Sequence, residues 1–340
     1  MARRKVGDNM AYRATLRVTI ALVAAVTGLV ATAGGALADT TQPQVTRTVS
    51  SLAFQSVVID PVSRFAYFTV PSLNEVAVLD LKTGNYAKSI PVGSDPHGID
   101  ITPDGSRLFV ADSGGQTISQ VTTATRKVKT IITPPGFLND TPYSIAVMNN
   151  GNALYSTTFA GSGFGANVYK LNLTTDTSTL VPNIGFGGSV TEATALSRSA
   201  NHAIVGAVLG DDSLGPFDVY AAATGQVVSG SLSTFISSSA LNATGTTMLV
   251  DGSFVINANT GSLLGTIFDS CVSAVLNASG ETGYCLEAHS IVKLNITRFL
   301  TGESVALPSG VTGTGELAIS PNGKLLVAET NTGATIVRAF

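Results

Sequence analysis

Residues 96–111 read Pro96-His97-Gly98-Ile99-Asp100-Ile101-Thr102-Pro103-Asp104-Gly105-Ser106-Arg107-Leu108-Phe109-Val110-Ala111. An alternating apolar stretch, a Pro-Asp-Gly turn and a second alternating stretch predict an antiparallel hairpin whose strands each bury one face. The same pattern returns as Ile319-Ser320-Pro321-Asn322-Gly323-Lys324-Leu325-Leu326-Val327-Ala328, and with drift from Ile59 to Phe68. Weaker copies surround Gly151, Ala200, Gly245 and Gly280.

Taking Ser63, Gly105, Gly151, Ala200, Gly245, Gly280 and Gly323 as turn positions gives seven units of about 35 to 49 residues. A third strand and a second turn follow each marker, as in Val76–Gly84, Val219–Gly225 and Val255–Gly261, and then a fourth strand, as in Tyr86–Val92 and Gln226–Ser231. Four short strands per unit predict an all-β, seven-bladed β-propeller of four-stranded antiparallel blades. The last unit stops at Phe340 after its third strand, Ala334–Arg338, so Val45–Val49 is expected to supply the missing strand. Closing the ring in this way removes sheet edges that would otherwise aggregate.

The repeats occupy residues 39–340. Ahead of them, Arg3, Arg4, Lys5, Arg13 and Arg17 precede an apolar stretch from Val18 to Val30 and then Ala36-Leu37-Ala38. Residues 1–38 therefore read as a secretory signal peptide, and the apolar stretch is too short to span a bilayer. Of 19 Lys and Arg the leader holds five, and of 22 Asp and Glu it holds one, so the mature chain carries a net charge of −7. A basic stripe for nucleic acid is missing, and no membrane span follows the leader. The chain is expected outside the cytoplasm, as a secreted, periplasmic or cell-envelope monomer. Its two cysteines, Cys271 and Cys285, then form one disulfide, facing each other across a hairpin centred on Ala278.

The pattern P-x-G-I-x-I-T-P-D-G-S-R-L-F-V-A with its V-x-V-x-D-x-x-T-G companion resembles the YVTN-type β-propeller repeat. The naming segment stands here as Phe109-Val110-Ala111-Asp112 and Leu326-Val327-Ala328-Glu329. The resemblance implies an exported bacterial propeller, with relatives among lactonases, a streptogramin-type lyase and ligand-binding modules. A propeller fold does not choose among these functions.

Function is sought on the face where loops enter the innermost strands. The repeat register places Asp95, His97, Asp112, Glu192, Asp211, Asp212, Asp251, Glu287, His289, Glu316 and Glu329 there, beside Gln55 and Tyr143. An acidic channel face is expected to bind a small-molecule or protein ligand, with Asp95, Asp112, Glu192, Asp251, Glu316 and Glu329 as contacts. The alternative is a metal-assisted lactonase or lyase. In it His97, Glu287 and His289 do acid–base work, and Glu287, Asp251 and Glu316 hold a divalent cation such as Ca²⁺. No cofactor is otherwise implied. Gly161–Gly165 lacks the strand-to-helix context of a phosphate loop, and no H-E-x-x-H or G-x-S-x-G motif occurs. If the leader reading is right, intact-mass measurement of the exported protein will give a chain beginning at Asp39; a retained Met1 would contradict it.

Overall fold

The computed structural model describes residues 45–50, 52–134, 141–158, 167–182, 184, 194–210, 213–267 and 270–340. In it the alternating stretches become strands, beginning with β1 (Val45–Ser50), although the expected fourth strand Tyr86–Val92 is broken into two short pieces that each pair with the third. Blade I holds β2 (Val57–Ile59), β3 (Phe65–Val70), β4 (Glu75–Asp80), and the short β5 (Asn85–Tyr86) and β6 (Ile90–Pro91). Blade II holds β7 (Pro96–Ile101), β8 (Arg107–Asp112), β9 (Thr117–Thr122) and β10 (Lys127–Ile132). Blade III holds β11 (Pro142–Val147), β12 (Asn152–Thr157), β13 (Val168–Asn172) and β14 (Ser178–Leu180). Blade IV holds β15 (Thr194–Arg198), β16 (Ile204–Leu209), β17 (Pro216–Ala221) and β18 (Val227–Ser231). Blade V holds β19 (Ser239–Leu241), β20 (Thr247–Val250), β21 (Phe254–Asn257) and β22 (Ser262–Thr266). Blade VI holds β23 (Ser273–Leu276), β24 (Thr282–Leu286), β25 (Ser290–Asn295) and β26 (Leu300–Ala306).

Blade VII closes the ring. Its order is β27 (Gly313–Ile319), β28 (Leu325–Thr330), β29 (Gly333–Arg338) and then β1, so the first strand of the chain pairs antiparallel with the last. Val49 lies opposite Ala334 and Thr48 opposite Thr335. The protein is thus a seven-bladed β-propeller, as the repeats predict.

Alternation of side chains gives each blade two apolar faces, and each face packs on the next blade. Seven apolar clusters result, one per blade interface. Phe68, Leu79 and Val57 of blade I meet Val327 and Ile336 of blade VII, while Phe109 and Ile118 of blade II meet Tyr155 and Leu171 of blade III. Burying side chains of this size stabilises by roughly 1.5–3 kcal/mol each, which is how a chain without Trp holds a ring together.

The turns between first and second strands repeat one device. A side-chain oxygen on the residue just after the inner strand takes the turn's N–H groups: Asp60 Oδ1 from Val62 and Ser63, Asn242 Oδ1 from Thr246, and Asn277 Oδ1 from Gly280. Gly105, Gly245, Gly280 and Gly323 supply the left-handed residue these turns require. In blade IV that position is held by His202 (φ 58°), not by a residue at Ala200 as the sequence spacing suggested. The asparagines Asn172, Asn242, Asn277 and Asn295, which stand in N-x-S/T sequences, all accept backbone N–H groups in turns, Asn242 and Asn277 between first and second strands and Asn172 and Asn295 between third and fourth.

Cys271 and Cys285 are bonded, with Cα atoms 5.3 Å apart. The register differs from the one expected, because Ala274, not Cys271, lies opposite Cys285. Cys271 precedes β23, and its sulfur lies against Gly252 of blade V, so the bridge ties the segment leading into blade VI to β24 beside the neighbouring blade. Closing a loop with a sequence separation of 14 stabilises by about 3 kcal/mol in the chain-entropy picture. Denaturant unfolding of a Cys271→Ser, Cys285→Ser variant should show a loss of that order; unchanged stability would contradict the assigned role.

Candidate functional site

The inner strands β2, β7, β11, β15, β19, β23 and β27 surround a channel of about 640 Å³. Each inner strand has one neighbour in its sheet, so the backbone groups on its channel edge need partners from elsewhere. Side chains supply several. Leu196 N–H donates to Ser144 Oγ (3.1 Å), Leu317 N–H to Ser273 Oγ (3.1 Å) and Val57 N–H to Glu316 Oε2 (2.8 Å). In each case a side chain on one inner strand serves the next blade's backbone. Gly98 holds the equivalent position in blade II, where a Cβ would lie 2.7 Å from Ser144 Cα, so only glycine fits this approach.

At the upper mouth Gln55, His97 and Tyr143 occupy equivalent positions on three consecutive blades and line the channel. The His97 and Tyr143 rings lie 5.0 Å apart, tilted by 40°. His97 Nε2 is 3.8 Å from Asp95 Oδ2, on a residue whose side chain is half exposed at the rim. Burial lowers the His97 pKa and the Asp95 charge partly opposes that shift. The mouth therefore presents a neutral imidazole, a phenol ring and one solvated carboxylate.

The other described acidic residues do not converge there. Glu316 lines the channel, accepting also from Ser56 Oγ at 2.9 Å. It is open to the channel yet surrounded by protein, and that desolvation raises its pKa. Glu329 is buried behind it, with Oε2 accepting from Glu316 N–H at 2.9 Å and Oε1 without a hydrogen-bond partner. Burial, with the neighbouring Glu316 charge, raises its pKa far above the ordinary glutamate range. Asp112 is fully buried beneath Gly93, and its Oδ2 accepts from Thr117 and Ser119 hydroxyls, each at 2.9 Å. Asp251 braces the loop into blade V by accepting from the N–H and hydroxyl groups of Ser237 and Ser238.

Glu287 and His289 lie in the loop between β24 and β25, and Ser290 Oγ donates to Glu287 Oε2. His289 is exposed. The structure thus leaves Glu287, Asp251 and Glu316 apart: two brace rim loops and one sits in the channel wall. Among the described residues no group of three His, Cys, Asp or Glu side chains could hold a metal ion. Glu192, Asp211, Asp212 and Gly161–Gly165 lie outside the described residues.

Sequence reasoning missed two channel residues. Asp100 and Arg198, from blades II and IV, pair across the edge of blade III, with Arg198 Nε 2.7 and 2.8 Å from the two Asp100 oxygens. The repeat itself carried the signal. Equivalent positions hold Val58, Ala146, Ser197, Ala240, Val275 and Ala318 for Asp100, and Ile59, Ile101, Val147, Leu241, Leu276 and Ile319 for Arg198.

Comparison with known proteins agrees with this architecture. No protein-family model and no curated protein matches the sequence. Among solved structures, hydrazine synthase of Kuenenia stuttgartiensis is similar at 15% identity and a TM-score of 0.68, over 88% of this chain and 98% of that one. The Cps50 (Swd1) β-propeller domain of Myceliophteria thermophila is similar at 14% identity and a TM-score of 0.68, over 88% of this chain and all of that one. At such identities the likeness is one of fold.

Asp112 generates a prediction of its own. Burial raises its pKa to about 6 against the Ser119, Thr117 and Gly93 hydrogen bonds. A raised carboxyl pKa gives stability that is present below the unfolded value near 4 and lost as pH rises through the folded value. The loss should be on the order of 3 kcal/mol between pH 4 and 7, measured as the difference between wild type and Asp112→Asn in denaturant unfolding. Parallel pH profiles for the two proteins would contradict it.

Proposed function

We propose that this protein is an exported binding module that takes a small ligand at the upper mouth of its channel. The observation that carries the reading is the His97–Tyr143 ring pair at the opening of a channel of about 640 Å³. Two rings held by rigid inner strands offer a preformed surface to a planar or cationic group, with Asp95 beside them for charge. Export is supported by the leader-like residues 1–38 and by the Cys271–Cys285 bond, which suits an oxidising compartment. No helix among the described residues is long and apolar enough to cross a membrane. The YVTN-type repeat remains part of this reading, carried by residues 96–112 and 319–329.

A metal-assisted lactonase or lyase needs carboxylates gathered beside a histidine. Among the described residues His97 has Asp95 alone as a carboxylate within 4 Å, and Glu287 and His289 do not line the channel, which favours binding.

Small quaternary-ammonium and guanidinium compounds, screened by thermal shift, should include members that stabilise the protein. Tyr143→Ala and His97→Ala should each weaken the best of them about five- to tenfold in calorimetry. Failure of the whole set to stabilise, or equal binding by both variants, would remove this reading.

A further inference from the structure

We propose that the lower part of the channel is a second binding site, which takes a small carboxylate on the free edge of the Arg198 guanidinium. This site does not rest on the mouth, which His97 and Tyr143 test separately.

Three side chains that break the repeat meet here: Asp100, Arg198 and His202, all lining the channel. Around them Val147 of blade III has both channel-edge groups occupied. Its N–H donates to Asp100 Oδ2 (2.6 Å) and its carbonyl accepts from His202 Nδ1 (2.7 Å). Satisfying a backbone edge does not need a charged pair, however. Ser144 and Ser273 do the same work in other blades with a neutral hydroxyl. Nor does the turn need histidine, since glycine takes that left-handed position in blades II, V, VI and VII. The serines at 144 and 273 and the turn glycines show what the fold requires, and Asp100, Arg198 and His202 exceed it at one place.

The arrangement of the guanidinium says what the surplus is for. Asp100 engages Nε with both oxygens, and Nη1 makes one long contact, 3.4 Å, to the Ser199 carbonyl. Nη2 has no partner among the described residues. The Nη1–Nη2 edge is therefore held in position by Asp100 and left open on a residue of the channel wall. That edge is the planar two-donor fork that matches a carboxylate. His202 adds no second cation. Its Nδ1 faces a carbonyl and so carries the proton, while burial, followed by the Arg198 charge, lowers its pKa.

Acetate is the probe, with acetamide as its neutral isostere at matched ionic strength. In the wild-type protein labelled with ¹⁵N-arginine, acetate should shift the Arg198 side-chain resonances saturably below about 100 mM, and acetamide should not. Arg198→Lys keeps a cation for Asp100 but removes the fork, and should weaken acetate about tenfold. Absence of a saturable shift in wild type, an equal shift with acetamide, or unchanged affinity in a folded Arg198→Lys protein would each overturn the proposal. The wild-type measurement decides even if the variant does not fold.

Discussion

A ring of radial sheets leaves one row of backbone groups unpaired in every blade, and these rows face each other across the channel. Most other features of the channel follow from that constraint. Serine at positions 56, 144, 238 and 273, glycine at 98 and glutamate at 316 occupy one register position on the inner strands. Ser144, Ser273 and Glu316 each accept an N–H from the next blade, and Ser56 donates to Glu316. The same position thus links one blade to the next and sets how polar the wall is. A fully apolar wall would leave edge N–H groups unpaired, at a cost of about 1–3 kcal/mol each.

The outer half of each blade answers a different requirement. Apolar faces meet face to face at every interface, including the one between blade VII and blade I that joins the two ends of the repeat region. The β1–β29 pairing and the Glu316 contacts with Ser56 and Val57 fasten that junction from its outer and inner sides. Closure is therefore secured twice, by a strand ladder far from the axis and by a carboxylate beside it.

The fold was legible because it depends on what the sequence repeats: alternation, turn chemistry and spacing. The hairpin at residues 96–111 and its copy at 319–328 appear as β7–β8 and β27–β28. The site was legible only in part. His97 and Tyr143 line the mouth, and of the described loop carboxylates Asp95 stands beside them. A loop carboxylate has two uses, and the spacing does not separate them. Asp112, Asp251 and Glu287 turn to hydroxyls and N–H groups within their own rims, while Glu316 reaches the channel from mid-strand. Asp100 was overlooked because its strand pattern looks ordinary alone, and Arg198, which the register assigns to the turns of the opposite face, ends β15 and lines the channel. Only alignment of the seven inner strands shows them as departures, and only the structure shows that they meet across a blade. The disulfide partners were legible, but their register was not, since Cys271 lies outside the hairpin it staples.

Amide hydrogen exchange tests the central claim, that side chains of neighbouring blades complete the inner-strand edges. Val57, Val147, Leu196 and Leu317 lie on edge strands, yet their N–H groups are bonded to Glu316, Asp100, Ser144 and Ser273. The account predicts exchange at these four amides as slow as in the paired interior of the blades. Exchange as fast as that of solvent-exposed edge amides would contradict it.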